Sequence, residues 1–377
     1  MLTALLIATA IGGATPGHHP HAHTHAGGEI DEMQGPILLE ATYTGEVMSV
    51  LDGGLRRGER YLDNLDIVLE ADLEAVAGWR GAELHVYGLY NNGKSISDLI
   101  GDAQGASNIE TGKRKLRLYE AWIDQKIGKH VSIRAGRYDL NSEFDSLDAS
   151  GLFVGSAHGI GTDISQTGLN GPSIFPATSL AARLEIRPAK GWALRSAVLD
   201  GAPGIGGDHG ALLIGEAEAP LFGGRILLGH WRYTARFDDH GGGRRRGNGG
   251  VYLRGEAPIA SGSIGDLAGF FRIGTASGRI NMFDRFASAG LKLTGGWAEE
   301  DELGIAFASA FTAEDYRTAF GGGKAETAIE LSYRTPIAGW LNLQPNIQYV
   351  RNPGADPTIG DALVLGMRFE ASFRLVD

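Results

Sequence analysis

Cysteine is absent from this sequence, which excludes a disulfide framework and thiolate metal sites. Long apolar runs are scarce. The one continuous run, residues 2–14 (LTALLIATAIGGA), is too short to cross a bilayer as a helix. Cationic charge is in deficit: 34 Lys and Arg against 45 Asp and Glu leave a net charge of −11. A nucleic-acid binder normally carries a basic stripe, so that class is disfavoured. Enzyme signatures are missing too, with no GxSxG elbow, HExxH or Walker A sequence, and GIGGDH (204–209) lacks the last glycine of a dinucleotide fingerprint. No cofactor is expected.

The residues that are present tell more. Residues 1–14 read as the apolar segment of a secretory signal, with Ala8, Ala10 and Ala14 as small residues for cleavage. Residues 15–36 form a leader containing His18, His19, His21, His23 and His25. Imidazole suits zinc, copper or nickel, yet these histidines have no carboxylate or thiolate partner and no fixed spacing, so a flexible leader is preferred over a metal site. A mean hydropathy of −0.10 looks soluble, but a strand that is apolar on one face and polar on the other averages to nearly zero.

That alternation fills residues 37–377. In LNLQPNIQYV (341–350), Leu341, Leu343, Pro345, Ile347 and Tyr349 share one face, and Asn342, Gln344, Asn346 and Gln348 the other. Four uncharged amides in a row suit a wet interior, and Pro345, which cannot donate to a ladder, predicts a bulge. Similar runs recur about sixteen times. Their connectors alternate in length: tight ones such as IGKH (127–130) and PLFGG (220–224) are separated by long ones such as residues 93–115 and 139–177. Short turns at one end and long loops at the other predict an all-β, transmembrane, up-and-down antiparallel barrel in the outer membrane, with 139–177 folding inward.

Facing follows from the cost of charge in lipid, roughly 2–4 kcal/mol for an arginine at mid-bilayer. Arg134, Arg183, Arg232, Arg254, Arg272, Arg334 and Arg368 lie within strands and are therefore expected to face the lumen. In RILLGHWRYTAR (225–236) this puts Leu227, Trp231, Tyr233 and Ala235 on lipid. Trp79, Trp192, Trp297 and Trp340 sit beside short turns, as an interfacial girdle requires. The stretch DLNSEFDSLD (139–148) spaces its acids like half a calcium loop, but Phe144 stands where an EF-hand needs glycine and the distal Glu is missing.

The segments RAGRYDLNSEFD, NGPSIFP and above all LQPNIQYVRNPG followed by ALVLGMRF resemble the OprB-type carbohydrate-selective porins over most of the chain from about residue 37. The resemblance implies a sixteen-stranded outer-membrane barrel that admits glucose-like sugars by passive diffusion. Family barrels tend to end on an aromatic residue, whereas RLVD follows Phe373 here.

Sugars need weak donors, acceptors and an apolar face to stack on. Wall arginines Arg183, Arg232, Arg254, Arg272 and Arg334 are expected to line the pore, with Asn342, Gln344 and Gln348. Glu143, Asp145 and Phe175 join them from the inward loop, and Trp122 is a candidate stacking platform. Each arginine could instead brace the barrel against an acid such as Glu185 or Glu256. Expected partners are mono- or small oligosaccharides and outer-membrane lipid, not nucleic acid, with a single barrel favoured over three. The alternatives are a general or anion-preferring porin, an outer-membrane enzyme, or an adhesion scaffold.

Overall fold

A computed structural model describes residues 35–204 and 209–376. The expected export segment and all five leader histidines lie outside the described residues. Sixteen antiparallel strands close into one barrel, each hydrogen-bonded to its sequence neighbours, and β16 (Gly360–Val376) pairs with β1 (Ile37–Gly54) to remove the last free edge. Closure satisfies every ladder without an exposed edge, which is what a strand in lipid demands.

The connectors sort by end. Residues 128–130, 190–191, 222–223 and 263–264 are short turns at one end, whereas 94–114 and 139–178 are long connectors at the other. Residues 51–60 are mostly strand, because β1 and β2 (Gly58–Asp72) continue past the barrel and leave only 55–57 as turn. β2 stops at Asp72, whose carboxylate accepts from Glu74 N at 2.8 Å and Ala75 N at 3.3 Å and so caps a short helix, α1 (Leu73–Ala77).

The outer surface is apolar around the perimeter, from Val47 on β1 through Ile67, Ile133, Val198, Leu228, Ile273, Ile305 and Ile347 to Met367 on β16. Trp79, Trp192, Trp297 and Trp340 are all exposed at the short-turn end, and Trp340 stacks on Phe373 with centroids 5.7 Å apart. Pro345 does not produce a bulge. Ser332↔Asn346 and Thr335↔Leu343 keep the same offset on either side of it, and the shift falls at Pro336/Ala338 instead.

Candidate functional site: the lumen and its inward loops

The 139–178 loop turns into the barrel. It contains three 3-10 turns, Leu140–Ser142, Ala149–Leu152 and Ser156–His158, and a single-turn helix, Thr162–Ser165, and it is fastened to wall strands around the circumference. On β6 (Ser179–Ala189), Arg183 grips Glu143 with Nε–Oε2 at 2.9 Å and Nη2–Oε1 at 2.8 Å, and reaches Asp124 Oδ2 on β4 (Lys115–Ile127) at 2.7 Å. On β11 (Gly265–Ala276), Arg272 donates to Asp145 from Nε at 2.7 Å and to Asp163 Oδ1 from Nη1 at 2.6 Å. On β14 (Ala325–Ala338), the Glu330 carboxylate accepts from Val154 N at 2.7 Å and Gly155 N at 2.8 Å. Close seating shows at Gly304 on β13 (Glu302–Thr312), where an added Cβ would stand 2.7 Å from Leu152 and 2.8 Å from Phe153.

A second loop, 94–114, meets the first. Asn108 N donates to Val154 O at 2.8 Å and Ser156 N to Gly105 O at 2.9 Å. Glu326 on β14 accepts from Ala103 N at 2.7 Å and Gln104 N at 2.9 Å, and Arg368 on β16 donates to Asn108 Oδ1 at 2.7 Å. The amide row on β15 (Leu341–Arg351) now has a definite task. Gln344 Nε2 donates to Leu152 O at 2.5 Å and Gln348 Nε2 to Ala106 O at 2.8 Å, one amide for each loop. Asn342, one step nearer the short-turn end, stands between Pro336 and Glu370.

Of the seven arginines expected to face inward, Arg134, Arg183, Arg254, Arg272, Arg334 and Arg368 do. Arg232 does not: it is exposed on the outer surface of β9 (Gly224–Asp238), while Leu227, Trp231 and Tyr233 are fully buried. The expected facing of β9 is therefore inverted. Its reason is packing, since Trp231 and Tyr233 form one apolar cluster with Leu140, Phe144, Ile160 and Ile164 of the inward loop. A loop held inside the barrel needs an apolar seat as well as ion pairs, so the lumen wall is not uniformly polar.

Trp122 faces the lumen as expected, but its ring is already used. His85 from β3 (Ala82–Gly93) stacks on it at 4.6 Å and 7°, and the Arg134 guanidinium from β5 (Val131–Tyr138) lies 3.6 Å from the ring centroid. It is a positioned internal stack, not an open platform. Phe175 packs in the loop's far end against Tyr119, with centroids 6.3 Å apart. Glu143 and Asp145, the acids that imitate a calcium loop, are both taken by guanidinium groups.

Sequence reasoning missed Arg195, Arg225, Glu216 and Glu218. On β7 (Trp192–Asp200), Arg195 lies 2.7 Å from Glu185 Oε2 and 2.8 Å from Glu218 Oε2. Arg225 reaches Glu256 Oε1 at 2.7 Å and Asp148 Oδ1 at 3.0 Å, and Arg254 contacts Glu216 Oε2 at 3.1 Å. The mid-strand charge rule applied to Arg134 also applies to Arg195 in WALRSAVLD, so a signal existed there. Glu185 and Glu256 do act as braces, though for Arg195 and Arg225. Arg334 pairs with Glu302.

These pairs form a nearly continuous net from β4 to β11 in which each arginine has a carboxylate within 4 Å. Below the loop, Glu143, Ser146, Asp148, Arg187, Arg195, Glu218 and Arg225 border about 600 Å³ of open space toward the short-turn end. In the loop itself, burial pushes Glu143 up, but Arg134 and Arg183, with hydrogen bonds from Arg183 and Tyr138, outweigh it and hold the carboxyl at about 2. Burial lowers His158 to about 4, so it is neutral near pH 7.

An even-numbered, closed antiparallel barrel with an apolar belt, a tryptophan girdle and a loop folded into a charged lumen is an outer-membrane porin. Residues 56–373 match the family described as carbohydrate-selective porin, OprB family. The chain is 24% identical over 404 residues to Porin B of Pseudomonas aeruginosa, covering 88% of this chain and 86% of that protein. Among solved structures it is similar to OprB of Pseudomonas putida at high pH, with a TM-score of 0.82, 20% identity, and 90% and 94% of the two chains covered. The low-pH structure of the same protein gives a TM-score of 0.61 at 18% identity, covering 90% and 93%. The DcaP channel of Acinetobacter baumannii shares the fold, with a TM-score of 0.58, 8% identity, and 89% and 97% covered. The chain belongs to the OprB family of carbohydrate-selective porins. It is a channel of the bacterial outer membrane through which carbohydrates diffuse passively, and not an enzyme.

Proposed function

We propose that the preferred solutes are glucose-sized monosaccharides, and that they contact Arg187, Arg195, Glu218 and Arg225 on the wall and Ser146 and Asp148 on the loop. The observation that carries this reading is the neutralisation of the arginine net. Paired guanidinium and carboxylate groups offer many donors and acceptors with little excess charge, which suits a polyol better than an anion. Each contact is shared with an existing ion pair and so stays weak, as conduction requires. Arg183, Arg272, Gln344 and Gln348 act one step back, holding the loops that narrow the path. The acidic lumen also speaks against the anion-preferring alternative.

The barrel works as a monomer in this reading, supported by outward apolar side chains all round the perimeter. Residues 1–14 are removed on export and 15–36 form the leader. Liposome swelling with glucose, a disaccharide and an amino acid of similar size tests the solute assignment. Fast glucose entry that slows in Arg195→Gln and Arg225→Gln supports it. Equal rates for all three solutes would reduce selectivity to size, and swelling unaffected by either substitution would remove these residues from the path.

A further inference from the structure

Arg232 is one of three arginines that face away from the lumen on the same two strands. Arg236 on β9 stands directly opposite Arg246 on β10 (Arg244–Gly262), and both are exposed. Their outward orientation follows from β9, where the next residue, Phe237, is buried in the loop-facing cluster. Like charges directly across a ladder repel, so this pair is unfavourable unless an anion lies between them. Among the described residues no carboxylate comes within salt-bridge distance of Arg232, Arg236 or Arg246. Asp238, the next outward acid on β9, is engaged by Arg244 at 3.2 Å, and Asp239 by Arg245 at 2.8 Å.

The backbone bends to gather the three. A register shift between Arg246 and Asn248 marks a bulge at Gly247, which has φ +82°. The Arg232 guanidinium lies beside that bulge, with Nε 3.6 Å from where a Gly247 Cβ would stand. It therefore rises from its own position toward the Arg236–Arg246 pair, as a long cationic side chain does at a membrane boundary. Leu213 stands across the ladder from Arg232, and below it on the outward face come His230, opposite Val251, and then the lipid-facing Leu228. The cluster thus begins where the apolar belt ends, at the long-loop, outer end of the strands.

We propose that Arg232, Arg236 and Arg246 bind the phosphorylated headgroup of an outer-leaflet lipid, whose acyl chains lie on the belt beneath. Guanidinium forks match phosphate oxygens, and two of them on adjacent strands can share one phosphate group. An anion so placed turns the repulsive cross-strand pair into a clamp. The site lies outside the barrel and does not depend on the assignment of the lumen.

The test uses the purified full-length porin in detergent, with diphosphoryl lipid A, its enzymatically dephosphorylated form, and inorganic phosphate as probes, read by native mass spectrometry. The wild type should retain the diphosphoryl lipid at least about tenfold better than the dephosphorylated one. The triple variant Arg232→Gln/Arg236→Gln/Arg246→Gln should lose that preference, while Arg351→Gln, on the outer end of β15, should keep it. Heat-modifiable gel migration verifies that each variant is a folded barrel, and Arg246→Gln alone serves if the triple variant is not. Equal retention of the two lipids by the wild type, or an unchanged preference in the folded variant, overturns the proposal. So does displacement of the lipid by millimolar inorganic phosphate, which would identify a free-anion site instead.

Discussion

Arg183 holds Glu143 through two parallel hydrogen bonds, at 2.9 and 2.8 Å, across the junction between the barrel wall and the inward loop. Removing either partner leaves the other with one remaining ion pair, Arg134–Glu143 at 3.7 Å or Arg183–Asp124 at 2.7 Å, so the loss should fall below the roughly 3–5 kcal/mol of a fully unpaired buried charge. Arg183→Gln should therefore loosen the loop's first turn and raise single-channel conductance and its noise, and planar-bilayer recording would show this. The effect of Glu143→Gln is pH-dependent. The carboxyl titrates at about 2 in the folded loop and near 4.3 in an unfolded chain, so its contribution is complete above about pH 4.3 and is lost as pH falls through 2. The stability difference between wild type and variant should be flat from pH 8 to about 5 and shrink below that.

His158 is shifted in the same direction but acts over a higher pH window. An unfolded histidine takes up a proton near 6.5, whereas burial delays protonation here to about 4. The unfolded chain binds more protons between those values, so this residue's contribution to loop seating falls as pH drops from about 6.5 to 4. Subtracting the His158→Gln stability curve from that of the wild type should leave a slope confined to that window. A flat difference would mean that Glu330, with Oε2 3.8 Å from His158 Nε2, takes over as an ion-pair partner and cancels the cost.

Gln344 and Gln348 each hold a loop carbonyl. Truncation to alanine leaves a buried backbone oxygen without its donor, at about 1–3 kcal/mol apiece. Because the two amides act on different loops that touch each other, the double variant should show coupling rather than simple additivity in thermal unfolding.

Ion preference can be read directly. Asp66, Glu70, Glu83 and Glu120 stand on the inward faces of β2–β4, while the arginines opposite are already compensated. A salt gradient across a planar bilayer should give a reversal potential favouring cations, and Arg195→Gln should increase that bias. Anion preference in the wild type would reverse the electrostatic reading of the lumen.

The six tryptophans divide by position. Brominated lipids should quench Trp79, Trp192, Trp297 and Trp340 and spare Trp122 and Trp231, which are buried inside the barrel. Single-tryptophan variants separate the two groups. Quenching of Trp231 would restore the sequence-based facing of β9.

That facing shows where sequence reasoning stops. Strand number and the alternation of short and long connectors are local properties of period and turn chemistry, and they are legible in residues 37–376. On β2 strict alternation coincides with the observed facing, with Ile67 outside and Asp66 inside. On β9 both faces mix apolar and cationic residues, so the pattern alone cannot choose. The deciding facts are a loop more than sixty residues earlier in the chain, which needs Trp231 and Tyr233 as its seat, and the height of Arg232, where charge near the interface costs little. Pro345 likewise suggested a bulge, but neighbouring ladders on both sides hold the register through one missing bond.

The sequence by itself determined a transmembrane barrel, its even strand count, its tryptophan girdle and a long loop rich in acids, because two-residue periodicity and the cost of charge in lipid act on each strand separately. Which arginine meets which carboxylate, why the amides of β15 grip loop backbone, and that Trp122 is already stacked were decided only by tertiary structure. Those relations join residues from opposite walls through a loop whose path depends on the closed barrel, and no local rule carries that distance.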